Sequence, residues 1–136
     1  MHGSGETSKV WHNQMSNLNL INRLISIDLP SHGNSDFYSE LSLDLYVNTI
    51  KELRNKLNLN KIILCGHSLG GAVSLAYYFA YKNETDGLIL MSTGAKLKVL
   101  PIILKNTKNN FSTYLENIPT GAFYRKTDDE IKGKYV

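Results

Sequence analysis

Three short stretches of the chain, 23–27, 61–65 and 87–91, are almost continuously apolar instead of alternating between apolar and polar positions. Parallel strands covered on both faces read this way. Between them the period changes. From Ser42 to Leu57, apolar Leu43, Leu45, Tyr46, Ile50, Leu53 and Leu57 recur at three- and four-residue intervals, and Asp44, Lys51, Glu52 and Lys56 are left to face water. Residues 68–81 are apolar on nearly every side, which predicts a buried helix. Strand, helix, strand, helix, strand is the order of an α/β sheet with right-handed crossovers.

The ends have a different texture. A glycine loop, His2 to Gly5, leads into a predicted helix over 7–18 with Val10, Trp11, Met15 and Leu18 facing inward. Residues 97–118 contain Pro101, an apolar run, a polar Asn-Thr-Lys-Asn-Asn patch and then Phe111, Tyr114, Leu115 and Ile118. This predicts two short amphipathic helices. A third opens near Thr127, read as its N-cap, with Asp128, Asp129 and Glu130 in its first turn.

Composition narrows the field without naming a function. A chain of 136 residues suits one compact domain. The 15 Lys and Arg exceed the 12 Asp and Glu by a net charge of +3, with no basic block, so neither nucleic acid nor a membrane surface is an expected partner. No run approaches the roughly 20 apolar residues of a membrane span. The lone Cys65, in an apolar run, reads as a buried strand residue in a reducing compartment, and a cytoplasmic protein is the expectation. No Asp, Glu, His or Cys spacing suggests a metal site. His2-Gly3-Ser4-Gly5 lacks the lysine and preceding strand of a phosphate loop, so no cofactor is implied.

The chemistry gathers at Gly66-His67-Ser68-Leu69-Gly70, between the second apolar run and the buried helix. A nucleophilic serine needs an exposed position, a base and backbone donors for an oxyanion. A tight strand-to-helix turn strains the serine and projects it above the sheet, and side chains at Gly66 and Gly70 would collide with their neighbours. The Leu69 N–H, at the helix start, is aimed at negative charge. The plainer reading makes Ser68 an N-cap.

"GHSLGG", with "HGSG" at 2–5 and "IDLPSHGNSD" at 27–36, resembles the α/β-hydrolase superfamily in its esterase, lipase and aminopeptidase-like branch, over about residues 2–92. The resemblance implies a partial α/β-hydrolase fold: a three-stranded, mainly parallel sheet with flanking helices, residues 1–96 as core and 97–136 as the start of a helical cap. It implies that the Ser4 N–H is the second oxyanion donor beside that of Leu69. Residues 28–35 would form the turn leaving a strand, with Ser31 where the family usually has glycine.

Family members carry their catalytic acid and histidine after the cap, beyond Val136, and a central strand before the His-Gly loop. The chain therefore reads as an internal piece of a hydrolase of about 250 residues. The strands at 23–27 and 61–65 then either close side by side or leave a slot whose open edges invite self-association. His2, His12, His32 and His67 read as structural or surface residues rather than as the base.

The expected function is a serine hydrolase that takes a small-molecule acyl substrate, a carboxylic ester or similar. The alternatives are a catalytically incomplete remnant and a peptidase of the same fold.

Overall fold

The computed structural model of the chain describes residues 1–18, 22–96, 99, 101–112 and 123–133. They fall into two units, Met1–Leu97 and Lys98–Val136.

The first unit opens with a 3-10 turn, Ser8–Trp11, that runs into helix α1, His12–Leu18. Helix α2 spans Leu43–Lys56. Its start is set by Ser42, whose Oγ accepts the Leu45 N–H at 3.1 Å, with Asp44 in the first turn and Arg54 and Lys56 in the last, as the helix dipole favours. It closes where Asn58 turns left-handed at φ 49°. Strand β1, Ile62–His67, then leads through Ser68 into α3, Leu69–Ala80. A 3-10 turn at Lys82–Glu84 carries the chain into β2, Thr85–Met91.

The two strands run parallel, with Ile63 opposite Gly87, Cys65 opposite Ile89 and His67 opposite Met91, after a register irregularity at Ile62. Helix α3 packs on both strands and against α2. Leu29, Tyr46, Val47, Ile50, Leu64, Val73 and Tyr77 form the core between these layers.

Among the described residues the sheet has two strands, not three. Residues 23–27 form no ladder, because a strand exists only through hydrogen bonds to a partner's backbone and this run makes none among the described residues. Nor do these residues close against β1. Met1 holds that side instead: its amine donates to Cys65 O at 2.6 Å and its carbonyl accepts from the His67 N–H at 3.1 Å. This is a one-residue parallel bridge opposite Gly66.

Burial of the strands on both faces is also corrected. Leu64 is buried under the helices, whereas Ile63, Ile89 and Met91 on the opposite face are 64%, 51% and 43% exposed. Helix α3 is likewise buried along one side only, with Gly70, Gly71, Val73, Ser74 and Tyr77 inward and Phe79 in solvent. Of the inward set expected over 7–18, Trp11 alone is buried and Leu18 is exposed.

Lys51, expected in water, is half-buried and pairs with Glu84, which also accepts the Tyr77 hydroxyl at 2.8 Å and faces Arg54 Nε at 3.4 Å. Burial and Glu84 together raise the Tyr77 phenol above its ordinary range. Cys65 is partly rather than fully buried; desolvation raises its thiol, and the Met1 ammonium opposes this.

The second unit contains α4, Pro101–Asn109, with proline at the first position where its missing N–H costs nothing. It also contains α5, Asp129–Gly133. Asp128, not Thr127, caps α5, its Oδ1 accepting the Glu130 N–H at 2.9 Å. The expected helix through Tyr114, Leu115 and Ile118 lies outside the described residues. Among the described residues no helix is long and apolar enough to cross a membrane, and no cluster of His, Cys, Asp or Glu could hold a metal ion.

Candidate active site

Ser68 joins the end of β1 to the start of α3 with φ 49° and ψ −112°, a conformation that non-glycine residues adopt only under constraint. The constraint is visible in its hydrogen bonds. Its N–H donates to Met91 O at 2.9 Å, and its carbonyl accepts from Thr93 Oγ1 at 2.8 Å and from the Gly71 and Ala72 N–H groups at 3.0 and 3.2 Å. The end of β2 thus grips the serine peptide from both sides.

Ser68 Oγ makes no capping bond to α3 and has no hydrogen-bond partner among the described residues. The N-cap reading fails on that point. The residue is half-buried, and the next N–H, that of Leu69, has no acceptor among the described residues.

The turn closes tightly enough to exclude side chains. A Cβ at Gly66 would overlap the Gly70 carbonyl and come within 2.5 Å of the Gly71 nitrogen. A Cβ at Gly70 would lie 2.7 Å from His2 O. That carbonyl accepts the Gly70 N–H at 3.1 Å, so the loop at 1–3 lies directly on the turn.

His2 organises this loop from within. It is fully buried, with Nδ1 2.7 Å from Gly3 O and Nε2 2.9 Å from the Leu29 N. A carbonyl only accepts and an amide N–H only donates, so the ring is neutral with its proton on Nδ1. Burial holds its pKa below the ordinary 6.5, against the opposing Gly3 bond. The His32 ring lies 4.9 Å away and bonds at Nδ1 to Pro30 O.

Ser4, next after Gly3, is exposed, and its N–H has no acceptor among the described residues. His67 reaches away to Glu6, its Nδ1 3.1 Å from Oε2. His12 is exposed on α1. Ser31 takes φ 61°, the left-handed conformation open to glycine without strain, and its Oγ compensates by accepting the Tyr38 N–H at 2.9 Å. Asp28 binds the Asn34 N–H at 2.9 Å and the Ser8 N–H at 2.6 Å, which holds its carboxyl below the ordinary range. An open groove of about 330 Å³ lies between Ile27, Asn34, Ser35 and Leu53, and Ser68 does not line it.

Met1, Glu6, Gly71 and Thr93 complete the surroundings of Ser68, and the sequence marks none of them as site residues. Gly71 leaves no room for a Cβ beside Thr93, and its place inside the run "GHSLGG" was the available signal.

The neutral His2 sets an expectation for pH. The unfolded ring takes up a proton near pH 6.5 while the folded ring resists, so the imidazole's contribution to stability is complete above that pH and declines as pH falls through 6.5 toward the folded value. The buried Met1 ammonium is shifted the same way from 8.0, whereas Asp28 and Glu84 add their losses only below 3.8 and 4.5. Urea midpoints measured against pH, for wild type and His2→Gln, isolate the imidazole's share. The decline just below pH 6.5 flattens in the variant, and an unchanged slope would disprove the assignment.

A model of the alpha/beta hydrolase fold family matches residues 1–127. The chain is 33% identical over 120 residues to the pimeloyl-[acyl-carrier protein] methyl ester esterase of Wigglesworthia glossinidia brevipalpis, covering 86% of this chain and 45% of that protein. It is 33% identical over 100 residues to 2-hydroxy-6-oxononadienedioate/2-hydroxy-6-oxononatrienedioate hydrolase 1 of Pseudomonas putida, covering 69% of this chain and 35% of that one. The solved structure of a thermophilic esterase superposes with a TM-score of 0.79 at 32% identity, over 98% of this chain and 50% of the other.

The chain belongs to the alpha/beta hydrolase fold family. Its relatives include esterases and other hydrolases, and it spans less than half the length of these two curated relatives.

Proposed function

We propose that the chain carries the nucleophile and oxyanion half of a serine hydrolase acting on a carboxylic ester or similar acyl bond of a small molecule. Ser68 is the nucleophile, on the sharp turn known in this family as the nucleophile elbow. The observation that carries this reading is the strained Ser68 backbone at the strand-to-helix turn, with an uncapped hydroxyl. Strain of this kind costs about 1–3 kcal/mol, and a serine serving only as a helix cap has no need of it.

In the reaction, Ser68 Oγ bonds to the acyl carbon as its proton passes to a general base. The carbonyl electron pair moves onto oxygen, where the Leu69 and Ser4 N–H groups receive the negative charge. Collapse expels the alcohol with a proton and leaves an acyl-serine, which water hydrolyses to the acid. Each oxyanion donor is worth about 100- to 1000-fold in rate.

The ester preference is supported by the Wigglesworthia relative, whose name specifies a methyl ester. Residues 97–136, which include α4, form the start of a helical cap in this reading.

A fluorophosphonate probe with mass mapping tests the proposal. The expected result is a phosphonylated Ser68, formed faster than on serine in an unstructured peptide. A folded protein that the probe leaves unlabelled would instead support the non-catalytic remnant.

A further inference from the structure

The loop carrying Ser4 is attached to the turn carrying Ser68 by more than main-chain bonds. Gly3 donates its N–H to Glu6 Oε2 at 2.6 Å, and the same oxygen lies 3.1 Å from His67 Nδ1. Glu6 in turn donates its own N–H to Gly3 O at 3.3 Å, so the loop folds back on itself around Gly3. Gly3 is buried, and the fit around it is close. A Cβ there would stand 2.9 Å from Glu6 Oε2 and 3.0 Å from His67 Nδ1.

One carboxylate oxygen facing two nitrogens is an acceptor facing two donors, so the His67 ring carries a proton on Nδ1. His67 immediately precedes Ser68, and Gly3 immediately precedes Ser4. The carboxylate therefore spans the two neighbours of the reacting groups. Beyond Gly3 the loop is exposed and Gly5 turns with φ 77°, so the Glu6 contact is the last fixed point before the Ser4 N–H.

We propose that Glu6 is a positioning residue: by bridging the Gly3 N–H and His67 Nδ1–H it sets where the Ser4 N–H stands relative to the Ser68 hydroxyl. This rests on the reading of Ser4 as an oxyanion donor. A donor that drifts by about 1 Å loses much of its effect, since catalytic geometry tolerates little displacement. Glu6 makes no contact with substrate in this role and acts only through the loop.

The test uses the full chain and three variants, followed by the fluorophosphonate labelling rate at Ser68, thermal melting and the ¹⁵N chemical shifts of the His67 ring. Glu6→Ala is expected to label about tenfold more slowly than wild type while still melting cooperatively. Its His67 ring should also lose the preference for Nδ1–H. Glu6→Gln keeps an oxygen that accepts from both groups, so it should restore the rate to within about twofold and retain the Nδ1–H form.

If Glu6→Ala does not fold, His67→Phe carries the same question, because it removes the Nδ1 donor and keeps a ring; it too should label several-fold more slowly. Wild type that labels at the same rate as a folded Glu6→Ala or His67→Phe overturns the positioning role alone. Wild type that does not label at all overturns the hydrolase reading and this role with it.

Discussion

Gly66→Ala is expected to cost the first unit its fold. The added methyl would overlap the Gly70 carbonyl and approach the Gly71 nitrogen, both main-chain groups of the first turn of α3. A flexible side chain could swing aside, but these atoms cannot move without unwinding the helix start or pulling β1 off β2. Relief would break the Ser68 bonds to Met91 and Thr93 together. We expect a loss of about 4 kcal/mol or more, an exceptional range for a single substitution that steric overlap with fixed main-chain atoms can reach. That approaches the whole stability of many domains, about 5–15 kcal/mol.

The comparison that makes the expectation sharp is Gly87→Ala, on the paired strand. There the methyl would meet only Ile63, at 3.8 Å, which is ordinary contact. Urea unfolding followed by circular dichroism should show Gly87→Ala close to wild type and Gly66→Ala without a cooperative transition. A Gly66→Ala protein that melts within about 1 kcal/mol of wild type would mean that the turn is looser than described.

Ser68→Gly should move function and stability in opposite directions. Without Oγ nothing remains to be phosphonylated, so labelling at this position is lost completely. Glycine, however, adopts φ 49° freely, which releases strain of about 1–3 kcal/mol. The extra freedom of glycine in the unfolded chain takes back about 0.5–1 kcal/mol. The net gain is of the order of 1 kcal/mol, equivalent to about 4 °C or more in melting temperature for a unit of this size.

Ser68→Ala separates the two effects, since it removes the hydroxyl and keeps the strain. It should lose labelling at this position and melt near wild type. If Ser68→Gly is less stable than Ser68→Ala, the serine backbone is not strained, and the main support for the nucleophile assignment falls.

The parts of this structure that can be read from the chain are those decided by near neighbours in sequence. The period over 42–57 predicts α2 because Tyr46 and Ile50 need only each other's face of one helix, and Ser42 caps it locally. The apolar run at 61–65 predicts β1, which in fact continues to His67. The spacing Gly66, Ser68, Gly70 is equally local, so the pattern is visible before any fold is known.

Long-range partners are not readable in this way. Residues 23–27 have a strand's composition, but a strand is a relation between two backbones, and composition is silent about whether the second is there. Lys51 has the character of a surface residue until Glu84 arrives from the 3-10 turn that follows α3. Glu6 is an unremarked acid in a loop until His67, 61 positions later, comes within 3.1 Å. The sheet's bare face could not be foreseen because Ile63 and Ile89 are as apolar as Leu64.

The grip on Ser68 also has a bearing on when the site comes into being. The groups that hold its peptide in place, Met91 O and Thr93 Oγ1, lie across a helical crossover, and the carbonyls lying against the turn belong to residues 1 and 2. A short peptide containing only β1 and α3 would have no reason to keep the serine at φ 49°. The geometry of the Ser68 turn is therefore set by long-range closure, after the parallel pair and the amino-terminal loop have docked, so its assembly follows the slow, non-local steps of folding rather than the fast formation of the helix beside it.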